Sequence, residues 1–338
     1  MPRIQDLLKG SSHWEAYTLR EEATREGSDE WGRKLANGRD ATEPNVSRYL
    51  FEKGFKIEYP EGKRFALCLT HDIDKAYIGT GRKLLNLFRG RLGGRSLAEN
   101  LSDMSSKDRP NCNFEKIMDL EECHGAKSTF FLLSLQPPDK DNNYDVASLQ
   151  DYISSILDRG FEIGLHGGWE AYKDRDRLAK EKSRIEKAMN RKVEGYRNHY
   201  LLFDTRETWK ILEAEGFSYD STFGYPDSIG YRNGLCHPFN PYDLESGKAL
   251  NIVELPIAMM DRTLETYSSL RPSEAWERIK LVIDASERYG GVATIIWHNV
   301  FMWGEWGKLY EKILGYGLER GAWMNGCAEI NRVVKDQI

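Results

Sequence analysis

The sequence predicts an α/β protein built around a parallel sheet, arranged either as a barrel or as a doubly wound sheet. Short apolar runs alternate with helix-like stretches between residues 65 and 320, and about seven such units are present. Strands that alternate with helices in this way pair in parallel through right-handed crossovers. In both arrangements, functional side chains gather where the carboxyl ends of the strands meet the following loops.

The predicted strands are the short apolar runs. They comprise residues 65–70, 128–133, 161–165, 193–196, 217–219, 252–255 and 291–297. Helices are predicted over residues 151–158 and 205–215. The second helix begins at Asp204 or Thr205, which can cap a helix N-terminus, and ends before Gly216, which tolerates a left-handed C-cap.

Residues 1–60 differ from the rest of the chain in composition and in hydrophobic pattern. They are rich in charge and poor in apolar periodicity, which is typical of surface helices and loops. We therefore assign residues 1–60 to an N-terminal extension and residues 61–338 to the α/β domain.

The composition excludes several classes of protein. The 48 Lys and Arg residues against 53 Asp and Glu give a net charge of −5, so a globally basic nucleic-acid binder is not indicated. No apolar run approaches the ~20 residues of a membrane span, and the first ten residues contain no apolar signal-peptide core. The five cysteines are scattered and form no CxxC pair, which favours a reducing compartment. We expect a soluble, cytoplasmic protein that does not bind nucleic acid.

One segment departs from this acidic average. Residues 81–95 contain five basic side chains and no acidic one. Residues 82–95 are interpreted either as a basic flap that contacts an anionic substrate or a membrane surface, or as a solvated helix that packs its leucines on the domain.

Polar side chains follow four of the predicted strands. Of the seven histidines, four fall there, and two carboxylates and an arginine accompany them. These residues are His71, Asp72, Asp74, His166, Arg197, His199 and His298. Each could serve as a turn, a cap or a buried polar residue, but a parallel barrel would bring all of them to one rim.

Such a set has a definite chemistry. A carboxylate and an imidazole can hold a divalent metal such as zinc and leave positions open for water and substrate. A second carboxylate can act as general base on the metal's water, and a separate histidine can protonate a leaving amine. An arginine keeps the base ionised. Together these groups hydrolyse an amide or an ester.

Five short motifs resemble, in order along the chain, those of the polysaccharide deacetylases, the NodB-homology domain of carbohydrate esterase family four. They are Leu69–Asp74, Ser128–Leu132, Glu162–His166, Gly195–Arg197 and Ile296–His298. The resemblance spans roughly residues 60 to 320 and implies a distorted or incomplete (β/α)7 barrel with an N-terminal extension. It also implies a divalent metal, most often Zn²⁺, and the hydrolytic removal of an N- or O-acetyl group from a sugar.

The resemblance implies roles for individual residues of the catalytic machinery. Asp72 matches the catalytic base, and Arg197 matches the arginine that braces it. His298 matches the general acid. Asp261, which follows the sixth predicted strand, is matched more loosely to the residue that orients this acid.

The metal ligands depart from the family pattern at one position. Asp74 and His166 match the metal-binding aspartate and the first metal histidine. Four residues after His166, where the family has a second metal histidine, this chain has Glu170. Glu170 is the first choice for the missing ligand, and His199 is the second if its loop folds inward. The third alternative is weak metal binding in a degenerate relative.

The leading functional hypothesis is a metal-dependent deacetylase that acts on a sugar or oligosaccharide precursor. The alternatives are a same-fold hydrolase of another C–N amide bond and a catalytically silent carbohydrate-binding relative in a polysaccharide assembly system. The presence of Asp72, Arg197 and His298 together argues against the catalytically silent relative. A protein that only binds carbohydrate does not need a catalytic base, an arginine that keeps this base ionised, and a general acid.

Overall fold

The computed structural model describes residues 2–20, 22, 27–76 and 111–338. At its centre lies a parallel sheet. Its strands are β1 (Ala66–Ile73), β2 (Thr129–Leu133), β3 (Glu162–Gly167), β4 (Gly195–Asn198), β5 (Tyr219–Asp220), β8 (Val253–Glu254), β9 (Ile257–Met260) and β10 (Val292–Ile296). They lie in the order β8-β5-β4-β3-β2-β1-β10-β9. A ninth strand, β11 (Trp323–Asn325), pairs with the first half of β1. Strands β6 (Tyr242–Asp243) and β7 (Lys248–Ala249) form a separate antiparallel hairpin.

The sheet curls until its two edges approach each other. β8 and β9 lie at opposite ends of the strand order, yet only Leu255 and Pro256 separate them along the chain. Because each residue spans at most ~3.6 Å, this connection can bridge only about 10 Å. The described β8 and β9 form no ladder with each other, so the barrel is nearly closed but incomplete. The predicted α/β fold, a distorted or incomplete (β/α)7 barrel, is therefore confirmed.

Helices surround the sheet. In the described residues, the helices before β1 include α1 (Ile4–Leu8), α2 (Trp14–Tyr17) and α3 (Asn45–Glu52). Those that follow β1 include α4 (Phe114–Cys123), α5 (Gln150–Asp158), α6 (Arg175–Met189), α7 (Thr208–Ala214), α8 (Pro272–Tyr289) and α9 (Gly304–Glu319). The last helix is α10 (Cys327–Val334). α5 and α7 are the two helices predicted from the sequence, although α7 begins later than expected because residues 205–207 form a turn. No helix in the described parts of the chain is long and apolar enough to cross a bilayer.

All seven predicted strands are present, and two further strands of the sheet, β9 and β11, were missed. β9 follows β8 after a single proline and one other residue, with no helix between them. The alternation of strand and helix, on which the sequence prediction depended, therefore fails at this point. β9 is nevertheless completely buried and leads directly to Asp261.

The described part of the N-terminal region packs into the main hydrophobic core. Ile4, Leu8, Val46 and Leu50 are buried in the same cluster as the barrel strands. The hydroxyl of Ser47 on α3 accepts the backbone N–H of Cys236 at 2.9 Å. The boundary at residue 60 stays a prediction, and the basic segment 82–95 lies outside the described residues.

Gly195 illustrates how closely the strands pack, and it generates a first prediction. A Cβ at this position would lie 1.9 Å from the ring of Tyr219, its partner on β5. We expect Gly195→Ala to lower the free energy of unfolding by about 1–3 kcal/mol or more, because a buried ring must shift. Gly315 on α9 is the matched control, since a Cβ there meets no atom within 4 Å.

Gly315→Ala should raise the free energy of unfolding by roughly 0.5–1 kcal/mol, because alanine favours a helix interior over glycine. Urea denaturation followed by circular dichroism measures both variants. Equal, small effects of the two substitutions would show that Gly195 is not packed as described.

Candidate metal and catalytic site

Most of the polar residues predicted at strand ends meet at one rim of the barrel. Asp72 lies near the end of β1 and Asp74 directly follows that strand. His166 lies on β3 and Arg197 on β4, where the two are register partners. Because β1, β2, β3 and β4 are consecutive in the sheet, their carboxyl ends are adjacent.

Three side chains form a compact cluster suited to a metal ion. Asp74, His166 and His199 each direct one ligand atom to the same point. Asp74 Oδ1 lies 3.3 Å from His166 Nε2 and 3.3 Å from His199 Nδ1, and the two nitrogens are 3.1 Å apart. Ligands bound tetrahedrally at 2.0–2.1 Å are separated by about 3.3 Å, so these atoms match one face of a zinc tetrahedron.

The protonation of the cluster also suits a cation. Asp74 Oδ1 is buried, and no residue in the described part of the chain forms a hydrogen bond with it. His166 Nδ1–H donates to the carbonyl oxygen of Arg197 at 3.0 Å, which leaves the lone pair of Nε2 facing the cluster. Burial lowers the pKa of His199 to about 4, so this imidazole is neutral near pH 7. Burial alone would raise the pKa of Asp74, but His199 and His166 outweigh it and hold the pKa well below its usual range.

Glu170 was the first choice from the sequence for the third metal ligand, but it lies outside this cluster. Its side chain is 46% exposed, and Oε2 lies 3.6 Å from Nη2 of Arg177. The residues after β3 form a turn, and α6 begins only at Arg175. His166 and Glu170 therefore do not share a helical face, on which a spacing of four residues would bring them together.

His199 takes the third position because its loop folds inward. It follows β4 immediately, and the next two residues, Tyr200 and Leu201, have φ angles of 60° and 55°. These left-handed conformations are uncommon for non-glycine residues and turn the chain back toward the barrel. Asp141 Oδ2 lies 3.8 Å from Nε2 of His199, on the side away from the cluster.

Asp72 is held next to the cluster as an ionised carboxylate. Nη1 of Arg197 donates to Asp72 Oδ1 at 2.8 Å, and both side chains are buried. Burial raises the pKa of Asp72, but the guanidinium of Arg197, together with His166 and His298, outweighs it and lowers the pKa below its usual value. Asp72 Oδ2 is 3.9 Å from His166 Nε2. An ionised carboxylate in this position can accept a proton.

His298 occupies the other side of the cluster and is fixed by Asp261. Asp261 Oδ2 accepts the backbone N–H of His298 at 2.6 Å, and Oδ1 lies 2.7 Å from ring Nδ1. Burial lowers the pKa of His298, but Asp261 more than offsets this, with Asp74 and Asp72 adding to it, and raises the pKa to about 9. Nε2 lies 3.7 Å from Asp74 Oδ2, so the proton on Nε2 points toward the cluster.

A pocket of about 300 Å³ opens over these groups. Its lining includes Asp72, Asp74, His199 and His298. It also includes Trp31, Arg33, Lys75, Arg262 and Tyr267. The volume is in the range of small-molecule sites, and Asp72, Asp74, His199 and His298 all face the same space.

The contribution of the N-terminal region to this pocket was missed in the sequence. Arg33 is 7% exposed, and its Nη1 donates to the carbonyl oxygen of Tyr200 at 3.0 Å. Nη2 donates to the hydroxyl of Tyr267 at 2.7 Å, and Nε pairs with Asp29 at 2.6 Å. Arg33 thus supports the loop that carries His199. It lies in a charged stretch without periodicity, where no local pattern marks it.

Metal content distinguishes His199 from Glu170. We expect the purified protein, equilibrated with Zn²⁺ and desalted, to retain about one zinc per chain, because three ligand atoms already converge. Asp74→Ala, His166→Ala and His199→Ala should each lose this zinc, and Glu170→Ala should keep it. Inductively coupled plasma mass spectrometry measures the stoichiometry. Zinc lost from Glu170→Ala and kept in His199→Ala would reverse the assignment.

Comparison with known proteins extends these observations. No protein-family model matches the chain, and no curated protein is detectably similar to it in sequence. Solved structures do resemble it. A protein assigned as a polysaccharide deacetylase from Mycobacterium smegmatis is 20% identical, with a TM-score of 0.57, over 84% of this chain and 94% of that one.

Two further structures are similar over most of both chains. PuuE allantoinase is 14% identical with a TM-score of 0.58, and the match covers 88% of this chain and 97% of that chain. A protein assigned as a polysaccharide deacetylase from Pseudomonas aeruginosa PAO1 is 14% identical with a TM-score of 0.54, over 88% and 98% of the two chains. The chain therefore has the α/β half-barrel fold of the polysaccharide deacetylases, as its five motifs predicted.

Proposed function

We propose that the protein is a metal-dependent hydrolase that removes an N-acetyl or O-acetyl group from a sugar or oligosaccharide precursor. The observation that supports this most strongly is the convergence on one pocket of the Asp74, His166 and His199 cluster, an ionised carboxylate and a protonated imidazole. These are the groups that amide hydrolysis requires. The similarity in fold to polysaccharide deacetylases points to an acetylated carbohydrate as the substrate.

A divalent ion, with Zn²⁺ as the first choice, fits the cluster of Asp74, His166 and His199. When bound there, it supplies Lewis acidity for the acyl carbonyl and makes a water molecule more acidic. Asp72 is placed to accept the proton of this water, because it is ionised and its Oδ2 points toward His166 Nε2 at 3.9 Å. The oxygen of the water then forms a bond to the acyl carbon.

His298 completes the reaction as the general acid. Its Nε2 lies 3.7 Å from Asp74 Oδ2, and its proton passes to the amine nitrogen as the C–N bond breaks. Asp261 keeps the ring oriented and protonated through its contact with Nδ1. The products are acetic acid and the free amine. Asp72 then holds the proton taken from the water and His298 lacks the one it donated, so proton exchange with solvent restores both groups before the next turnover.

A cytoplasmic location is part of this proposal. All five cysteines are free thiols, including the buried Cys68 and Cys327, whose sulfur atoms are 3.4 Å apart. Free thiols suit a reducing compartment. A cytoplasmic enzyme would act on a precursor sugar rather than on finished extracellular polymer.

Asp72→Asn tests the catalytic base. Acetate release from N-acetylated sugars by the zinc-loaded protein should fall by roughly 10²–10⁴-fold, because an amide cannot accept the proton. Zinc content should not change, since Asp72 is not in the three-residue cluster. Near-normal turnover would contradict the assignment. Glycan binding by a wild-type protein that neither holds zinc nor releases acetate would instead support a silent relative.

The pH profile tests the general acid. His298 acts in its protonated form, so kcat/KM should fall as the pH rises through its pKa. Asp261 raises this pKa, so Asp261→Asn should shift the alkaline limb of the profile to lower pH and lower the rate. Asp284→Asn, on the surface side of α8 where it accepts the hydroxyl of Tyr316, is the control. An alkaline limb that does not move in Asp261→Asn would remove His298 from the role of acid.

A further inference from the structure

The wall of the pocket next to His298 contains an unneutralised arginine. Arg262 follows Asp261, and its backbone N–H donates to Asp261 Oδ1 at 2.6 Å. Its side chain is half-buried, lines the pocket, and lies with its guanidinium carbon 5.2 Å from the ring centroid of Phe301. Among the described residues, the Arg262 guanidinium has neither an acidic partner nor a hydrogen bond to the protein.

A second cation faces the same space. Lys75 directly follows Asp74, is half-buried and lines the pocket. It forms no ion pair with any residue in the described ranges 2–20, 22, 27–76 and 111–338. Lys75 follows β1 and Arg262 follows β9. These two strands lie on either side of β10, which leads to His298.

The acidic groups of the pocket are already engaged elsewhere. Asp72 pairs with Arg197 at 2.8 Å, and Asp74 belongs to the metal cluster. Asp141 Oδ2 accepts the hydroxyl of Tyr200 at 3.0 Å and faces His199 at 3.8 Å. None of these carboxylates forms an ion pair with Arg262 or Lys75 within the described structure. Among the residues that the structure describes, the positive charges of Arg262 and Lys75 are therefore not neutralised by an acidic side chain of the pocket.

We propose that Arg262, assisted by Lys75, binds an anionic group, a phosphate or a carboxylate, on the sugar part of the substrate. This inference rests on the proposed deacetylation. Arg262 adjoins the residue that orients His298, and His298 protonates the leaving amine. The anionic group therefore belongs to the amine-bearing sugar and not to the acyl group.

The chemistry of the wall suits such a ligand. A planar guanidinium can donate two parallel hydrogen bonds to a carboxylate or a phosphate. A partly desolvated cation without a partner costs free energy that an incoming anion offsets. Trp31 and Tyr267 at the rim are 38% and 43% exposed, and Arg33 holds both through ring stacking and a hydrogen bond. Their exposed ring atoms offer apolar contact to a sugar.

Ligand binding to a catalytically inactive variant measures charge recognition separately from catalysis. Zinc-loaded Asp72→Asn protein is titrated by calorimetry with N-acetylglucosamine, N-acetylglucosamine 1-phosphate and N-acetylmuramic acid. We expect at least one of the two anionic sugars to bind tenfold or more tightly than the neutral sugar. This preference should shrink with added salt, because the charges are partly exposed to solvent. The two anionic probes distinguish a phosphate from a carboxylate.

Substitutions in the same background assign the preference to its residues. Arg262→Gln should reduce the anionic preference at least fivefold, and Lys75→Gln added to it should bring the affinity ratio close to one. Arg271→Gln is the matched control, since this arginine is 77% exposed and pairs with Glu274 away from the pocket. It should leave the ratio unchanged.

Two outcomes would overturn the inference. The first is binding of the anionic sugars that is absent or no tighter than that of the neutral sugar. The second is a preference that survives in the Lys75→Gln/Arg262→Gln variant, which would place the anion on the zinc ion itself. Failure of the proposed function is detected separately. Wild-type protein that binds anionic sugars selectively but releases no acetate from them would contradict the hydrolysis and leave the anion site standing.

Discussion

The buried guanidinium of Arg197 is the interaction on which the site depends. The guanidinium donates hydrogen bonds to Thr70 and Asp72 on β1 and to Ser221 after β5. The backbone carbonyl oxygen of Arg197 accepts a hydrogen bond from Nδ1–H of His166. One residue thus joins three strands, keeps the candidate base ionised and fixes the tautomer of a candidate metal ligand. Removing one partner of such a buried ion pair costs roughly 3–5 kcal/mol, because the other charge is left uncompensated.

Around this centre, two aspartates separated by one residue acquire different chemistry from their surroundings. Asp72 is ionised, and it is already paired with the guanidinium of Arg197. Asp74 faces two imidazole nitrogens, and its Oδ1 has no hydrogen bond. The first arrangement suits a base and the second suits a metal ligand. His298 differs from His199 in the same way: burial lowers the pKa of His199, whereas the buried carboxylate of Asp261 raises that of His298.

The substrate side of the pocket is built by parts of the chain that are distant in sequence. Arg33 links the N-terminal region to the loop of His199 and to Tyr267 after β9. Arg262 lies beside Asp261 on the same side of the barrel. The candidate catalytic groups and the other residues that line the pocket therefore depend on the same supporting contacts. A change in the N-terminal region can for this reason alter the Asp74, His166 and His199 cluster without contacting it.

The alternation of strands and helices and the residues at the ends of β1, β3, β4 and β10 can be predicted from the amino-acid sequence. Both are local patterns, since burial of a parallel strand requires a continuous apolar run and its polar end follows at once. The presence of His199 instead of Glu170 in the cluster cannot be predicted in this way, because it depends on the left-handed turn at Tyr200 and Leu201. The meeting of the barrel edges at Pro256 and the place of Arg33 likewise depend on long-range contacts, which no local periodicity encodes.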